Sequence, residues 1–330
     1  MVAVLLGTGA LLTVSTGLPQ LRLLGKAGRI LARPRGPKEV SARQALCTAL
    51  AATVGTGNIV GVAGAICLGG PGAVFWMWVS GFLGMATKFA EVTLAGAYAK
   101  NKIGGPMYTI ERGLAGKARF LAVLYCIFGL GAAFGVGNAT QIGAVLSGVH
   151  QVQRFLGISP TGFFDLLLGL FLAACVGAVL LGGVRRIGAA AEKLVPGASV
   201  GYILLCLLVV FSRREMLPTA LRSILLGAFS PKAATGGAVG SMMVSLSVGC
   251  ARGIFSNEAG MGTASMAYTA APGESVEKGI LGLVEVFVDT LVICTLTALA
   301  VLCGSETIPY GCDAGGSLVA SVFGTVLGPW

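Results

Sequence analysis

The stretch "ATVGTGNIVG", residues 52–61, interrupts a long apolar run with Thr53, Gly55, Thr56, Gly57 and Asn58 in close succession. Glycine costs a helix about 1 kcal/mol relative to alanine, so the Gly55/Gly57 pair is the natural place for a membrane helix to unwind. Unwound backbone at membrane depth is tolerated only where protein or a water-filled cavity satisfies it. A broken helix turns that cost into a site, because its new N-terminal end offers N–H groups to an anion and its new C-terminal end offers carbonyls to a cation. Such a pair of ends suits a zwitterion travelling with a metal ion. Glycines alone would equally suit close helix packing; the added Thr53, Thr56 and Asn58 tip the reading toward a site.

The rest of the chain is built for lipid. Its 330 residues are 55% hydrophobic and only 11% charged, with a mean hydropathy of +0.87, whereas about a quarter of a soluble domain is charged. Apolar stretches long enough to cross a hydrocarbon core as helices fall at 2–19, 44–68, 73–98, 119–147, 163–182, 194–212, 236–256 and 279–303. The chain is therefore read as an all-α integral membrane protein with the lipid bilayer as its solvent. A net charge of +10 would suggest nucleic acid in a soluble protein. Here the basic residues fall in alternate loops: Arg22, Lys26, Arg29, Arg33, Arg35, Lys38 and Arg43; then Lys100, Lys102, Arg112, Lys117 and Arg119; then Arg185, Arg186 and Lys193. No nucleic-acid partner is expected, and the positive-inside rule makes those loops cytoplasmic and the N-terminus external, although Arg213, Arg214 and Arg222 weaken the contrast. The first segment has no basic residue ahead of its apolar run and no clear cleavage site, so it reads as a retained span rather than a signal peptide.

Between the spans, "KNKIGGPMYTIERGLAGKA" at 100–118 reads as a cytoplasmic loop, its Gly104, Gly105 and Pro106 forbidding a continuous helix. Segment 214–231 is too short in its apolar part to span and reads as an amphipathic helix at the outer surface. Nine cysteines show no metal spacing; Cys303 and Cys312 flank an outer loop and are the one candidate pair.

A second break is expected within 245–265, "SLSVGCARGIFSNEAGMGTAS", with Ser245, Ser247 and Gly249 supplying hydroxyls and a hinge near mid-membrane. Two interrupted spans, one in each half of a chain, point to a transporter's midplane site. Asn138 and Gln141, three residues apart in the fourth span, are candidates either for helix–helix bonding or for substrate contact. Charges within spans are functional by default. Lys88 and Glu91 are expected to pair with each other; Glu285 and Asp289, four apart, are too close for both to ionise in lipid, so one is expected to be protonated or paired with a base. His150 has no local partner pattern. Nucleophile elbows, metal clusters and phosphate loops are absent from the sequence, so no enzyme and no cofactor are expected.

The runs "ALAATVGTGNIVGVAGAI", "GGPGAVFWMWVSGFLGMATKFAEV", "GGPMYTIERGL", "RRIGAAAEKLVP" and "ARGIFSNEAGMGTA" resemble the alanine or glycine:cation symporters, the sodium:alanine symporter family. The resemblance implies a leucine-transporter-type inverted-repeat fold with an extra N-terminal helix at 2–19, a first five-helix repeat at 44–212 and an incomplete second repeat at 236–330. It implies eleven spans, so the chain, ending at "VFGTVLGPW", reads as truncated after about eight. It further implies a bacterial inner-membrane carrier that moves alanine or glycine inward with Na⁺ as coupling ion. Amides around Thr56 and Gly57 would hold the substrate carboxylate, the Thr53 carbonyl beside Gly55 would face its amine, and Gln141 would line the pocket. The Ala51 and Val54 carbonyls, with Asn58, would form part of a sodium site. Family members carry a more polar stretch ahead of "ARG", so Ser245 and Ser247 are expected to line an altered pocket. The alternatives are a proton-coupled carrier and a non-transporting membrane receptor for an amino acid.

Overall fold

The computed structural model describes residues 2–33, 39–229, 242–313 and 315–328, without the side chains of Val136 and Leu327. Among the described residues the only strand-like pairing is one bridge between Lys100 and Ile103. Helix α1 (Val2–Ser15) leads through α2 (Pro19–Arg22) and α3 (Ala27–Leu31) to α4 (Ala42–Thr53). A π-turn, Gly57–Gly61, opens α5 (Val62–Gly69), which precedes α6 (Gly72–Ala97) and α7 (Pro106–Gly113). Helix α8 (Arg119–Ala132) joins α9 (Thr140–Phe155) through a second π segment, Ala133–Ala139, and α10 (Gly162–Leu180), α11 (Gly183–Ser212) and α12 (Leu217–Phe229) follow. The remainder is α13 (Met242–Asn257), α14 (Thr263–Thr269), α15 (Ser275–Val286), a third π segment at Phe287–Cys294, α16 (Thr295–Gly304) and α17 (Gly315–Leu327).

Among the described residues, five helical runs are long and apolar enough to span a membrane, and seven if each of two bent pairs counts as one span. These seven match seven of the eight expected spans. The eighth corresponds to α13, although residues 236–241 lie outside the described residues. Helix α11 begins at Gly183 rather than 194, because the charged "RRIGAAAEKL" ends the apolar run but consists largely of good helix formers. Likewise the Gly104–Gly105–Pro106 step does not leave a loop: Pro106 takes the first position of α7, where its missing N–H costs nothing, behind Gly105 at φ 141°.

Where the second span starts is set by a reciprocal cap. The Ser41 hydroxyl accepts the Gln44 N–H at 3.0 Å while Gln44 Oε1 accepts the Ser41 N–H at 3.1 Å. Where it breaks is set by the glycines: α4 and the run Gly57–Gly69 are bent by 53° across Val54–Thr56. The expected hinge at Ser245, Ser247 and Gly249 is not observed. Helix α13 is continuous through all three, and a Cβ on Gly249 would lie 2.2 Å from the Ala73 carbonyl oxygen, so that glycine serves close packing on α6. The chain breaks instead at 258–262, where Glu258, Gly260 and Gly262 have φ of 51°, 90° and 83°, left-handed values that glycine accepts without strain.

Helix α6 is the hub. Helix α13 approaches it through Gly249 and Gly253, and α15 through Gly279 and Gly282, each position leaving no room for an unshifted Cβ. On its third side α12 buries Ala220, Ile224 and Ala228, one helical face, and the Trp76 indole N–H donates to the Ala228 carbonyl at 3.2 Å. The amphipathic helix expected over 214–231 is therefore present, with one face built into the bundle; Ser230 and Pro231 lie outside the described residues.

The three basic clusters are held near one another. Lys102 pairs with Glu39 at 2.6 Å, Arg43 with Glu192 at 4.0 Å, and Arg33 with Glu277 at 2.5 Å. Exposed pairs of this kind contribute little stability, but they locate the loops; Arg35 and Lys38 lie outside the described residues. Cys303 and Cys312 are both free, the first buried and the second exposed. His150 has a partner after all, Asp165 Oδ1 at 2.7 Å from its Nε2, supplied by the next helix and so invisible in local spacing.

Candidate functional site

At the first break the chain supplies its own cap. The Gly55 N–H donates to Asn58 Oδ1 at 2.8 Å, which occupies an amide that the unwound turn would otherwise leave without an acceptor. Asn58 is fully buried and uses its Nδ2 on the other side, donating to Asp289 Oδ1 at 2.7 Å and to the Asp289 carbonyl at 3.2 Å. The Gln141 side chain reaches the same break: its Oε1 is 3.5 Å from the Thr56 amide and would be 3.2 Å from a Cβ on Gly55. Gly55 thus makes room for Gln141 as well as permitting the bend.

Two cavities meet here. The smaller, about 190 Å³, is lined by Ala51, Thr53, Val54, Gly55, Gln141 and the second-break residue Glu258, among others. The larger, about 810 Å³, is lined by Thr56, Val60, Ser147, Gln151, Arg154 and Arg252, among others. Gly57 and Phe255 line both, so the backbone of one broken span and an aromatic ring of α13 form the wall between them.

Behind that wall lies Asp289, fully buried in the π segment Phe287–Cys294. Its Oδ2 accepts from Ser256 Oγ and from Thr290 Oγ1, each at 2.9 Å. Asn257 Nδ2 donates to Thr290 Oγ1 at 3.0 Å, and Asn257 Oδ1 accepts the Ala259 N–H at 3.0 Å, tying the cluster to the second break. Among the described residues no Lys, Arg or His lies within ion-pairing distance of Asp289. A buried carboxylate with neutral donors only is stabilised by a cation or a proton. Hydroxyls can present lone pairs as readily as protons, so Asp289, Ser256 and Thr290 form a set of hard oxygen ligands suited to a small cation. The three described π segments, which hold Asn58, Gly137 and Asp289, all reach the cavity or this cluster, in keeping with the tendency of such turns to mark functional sites.

The candidates from sequence are only partly brought together. Ala51, Thr53, Val54, Gly55, Gly57 and Gln141 line the small cavity and Thr56 the large one. Asn58 lies behind the wall with Asp289, apart from the Ala51 and Val54 lining. Ser245 and Ser247 do not reach either cavity. The Ser245 hydroxyl is buried against α5, donating to the Gly69 carbonyl at 2.5 Å, and Ser247 is exposed. Asn138 bonds back to its own helix at Ala133. Lys88 pairs with Glu285 at 3.4 Å, not with Glu91, because Gly282 lets α15 lie directly over Lys88. Glu285 thus has its base, and Asp289 has none among the described residues.

Local spacing does not mark Ser256, Thr290, Phe255 or Glu258 as site residues, and it marks Asp289 only as one of two carboxylates too close for both to ionise. The available signal was the polar run "SNE" facing the adjacent "DT" of the eighth span.

Bent spans enclosing a buried carboxylate and two facing cavities define a multi-pass membrane protein with an internal site. The family model described as the sodium:alanine symporter family matches residues 1–330, and the chain belongs to that family, one of transporters rather than enzymes. It is 40% identical, over 99% of its length and 73% of the relative's, to a protein of Methanococcus maripaludis named "Sodium/alanine symporter AgcS". It is 44% identical, over 92% of its length and 67% of the relative's, to an uncharacterized transporter of Haemophilus influenzae. A Bacillus subtilis protein named "Probable sodium/glutamine symporter GlnT" is 39% identical over 92% of the chain and 62% of its own length. The chain thus spans about two thirds of the length of these relatives.

Proposed function

We propose that the chain carries the binding core of a secondary symporter that moves a small neutral amino acid, alanine or glycine, inward with Na⁺ by alternating access. The observation that carries this reading is the hydrogen-bonded path from the first break to the carboxylate, Gly55 N–H to Asn58 to Asp289. The amino-acid carboxylate takes the Thr56–Gly57 end of the broken span beside Gln141, and its ammonium faces the Thr53 carbonyl and Glu258, the one charged residue among those lining the small cavity. A volume of about 190 Å³ suits a ligand smaller than the drug-sized molecules that fill sites of about 300 Å³ and upward.

Na⁺, as co-transported cargo, is drawn to Asp289. With a cation there, Asn58 changes its partner and so changes the Gly55 turn that shapes the cavity, which couples the two ligands through one side chain. The Ala51 and Val54 carbonyls contribute to cation binding on the cavity side. The reading includes a leucine-transporter-type arrangement, with the extra helix at 2–19 and repeats over 44–212 and 236–330, in a plasma membrane with the N-terminus outside. The ion-paired basic loops support that orientation.

The test is uptake of radiolabelled alanine and glycine by the full-length protein in proteoliposomes. Replacing external Na⁺ by choline at fixed pH is expected to abolish concentrative uptake. An unchanged rate on that replacement, with uptake following an imposed pH gradient instead, would overturn sodium coupling in favour of protons.

A further inference from the structure

The second break, 258–262, lines the small cavity through Glu258 and Met261, and its own span holds only its start, through the Glu258 N–H on the Ile254 carbonyl and the Ala259 N–H on Asn257 Oδ1. Unwound backbone at membrane depth needs partners for its N–H and C=O groups, and here two charged side chains of α6 bond one carbonyl and one amide of the turn. Lys88 Nζ donates to the Glu258 carbonyl at 3.3 Å. Glu91, three residues further along the same helix, accepts the Gly260 N–H at 3.0 Å through Oε2. Neither residue lines either cavity.

The cost of this arrangement is high. Lys88 and Glu285 are both fully buried, and their ion pair, at 3.4 Å, is completed by the buried Tyr268 hydroxyl donating to Glu285 Oε2 at 2.9 Å. A buried ion pair is a poor source of stability, since a well-packed apolar replacement is often neutral or better. What an apolar replacement cannot provide is the second donor, from α6, that the Glu258 carbonyl takes beside the Met261 N–H within the turn at 3.1 Å. Glu258 is strained at φ 51° and lines the small cavity, with its carboxylate accepting from the Thr263 hydroxyl.

We propose that Lys88 and Glu91 are positioning residues: they clamp the 258–262 turn from α6 in the shape that closes the small cavity, and so set amino-acid affinity without touching the amino acid. Its ion pair with Glu285 aims Lys88 at the turn. The affinity part of this inference rests on the small cavity being the amino-acid site; the clamp itself does not.

The test compares the full-length protein with the double variant Lys88→Met/Glu285→Met and the single variants Glu91→Leu and Glu91→Gln. A merely structural pair predicts that the double variant melts and transports like the unsubstituted protein. The clamp predicts a normal melting temperature, a KM for alanine raised about ten-fold at unchanged maximal rate, and faster amide hydrogen exchange confined to 258–262. Glu91→Leu is expected to expose the Gly260 amide to exchange and raise KM likewise, while Glu91→Gln, which keeps an acceptor oxygen, retains both. Unchanged exchange across 258–262 in both the double variant and Glu91→Leu would overturn the clamp, whether or not the protein carries alanine. Faster exchange with an unchanged KM would overturn its link to affinity. Failure of the unsubstituted protein to take up any small amino acid would instead count against the proposed function, leaving the exchange result to decide the clamp.

Discussion

Gly57→Val is expected to weaken saturable alanine uptake by about 5- to 150-fold while Gly57→Ala retains it. A Cβ on Gly57 would sit 3.4 Å from Ser256 Cα and 3.7 Å from the Phe255 ring, ordinary contact that an alanine methyl can make. The two γ-methyls of valine extend further, into the wall shared by the cavities and against the α13 backbone that presents Ser256 to Asp289. Overpacking of this kind costs about 1–3 kcal/mol, which is about 5- to 150-fold if it falls wholly on the bound state. Valine is also stiff at χ1 and cannot rotate both methyls away. Saturation binding of labelled alanine, with a thermal melt on the same sample, separates a lost site from a lost fold. A folded Gly57→Val protein that binds alanine normally would remove the first break from the binding site.

The second large effect is expected at Asp289. Asp289→Asn keeps the shape and an acceptor oxygen but removes the charge, so the variant should fold, bind alanine weakly and lose most of its response to Na⁺. Coupling between two ligands is typically worth about 5- to 150-fold in affinity, and that is the factor by which Na⁺ should cease to tighten alanine binding. Asp289→Ala is less informative, since it also removes one hydrogen bond each from Asn58 Nδ2, Ser256 Oγ and Thr290 Oγ1, and a hydrogen bond to a charged group is worth about 1.5–3 kcal/mol. If Asp289→Asn responds to Na⁺ as fully as the unsubstituted protein, the cation is held elsewhere.

The first break was readable because its cause is local. Gly55 and Gly57 weaken a helix wherever they stand, and Asn58 three residues beyond Gly55 is near enough to cap it. The spans were readable for the same reason, since hydropathy is a property of each segment by itself. What escaped depends on which helix lies across from which. Lys88 has Glu91 on its own helix, and only the glycine face of α15 brings Glu285 closer. Ser245, Ser247 and Gly249 have the composition of a polar hinge, but hydroxyl content does not reveal that Gly249 is pressed on Ala73 and that Ser245 is bonded to Gly69. The true second break lies at the left-handed positions of "EAGMG", where glycine at alternate places was a backbone signal as strong as that of "GTG". Asp289 stood out as a charge in an apolar span, yet its partners come from three separate elements, and no spacing along one segment announces them.

The most direct test of the account is equilibrium binding of alanine and Na⁺ to the detergent-solubilised full-length protein, each titrated at fixed concentrations of the other. Linkage requires that the factor by which Na⁺ lowers the Kd for alanine equal the factor by which alanine lowers the Kd for Na⁺. The account predicts such a matched factor, and its collapse toward one in Asp289→Asn. Tight alanine binding that is indifferent to Na⁺ at every concentration would contradict it.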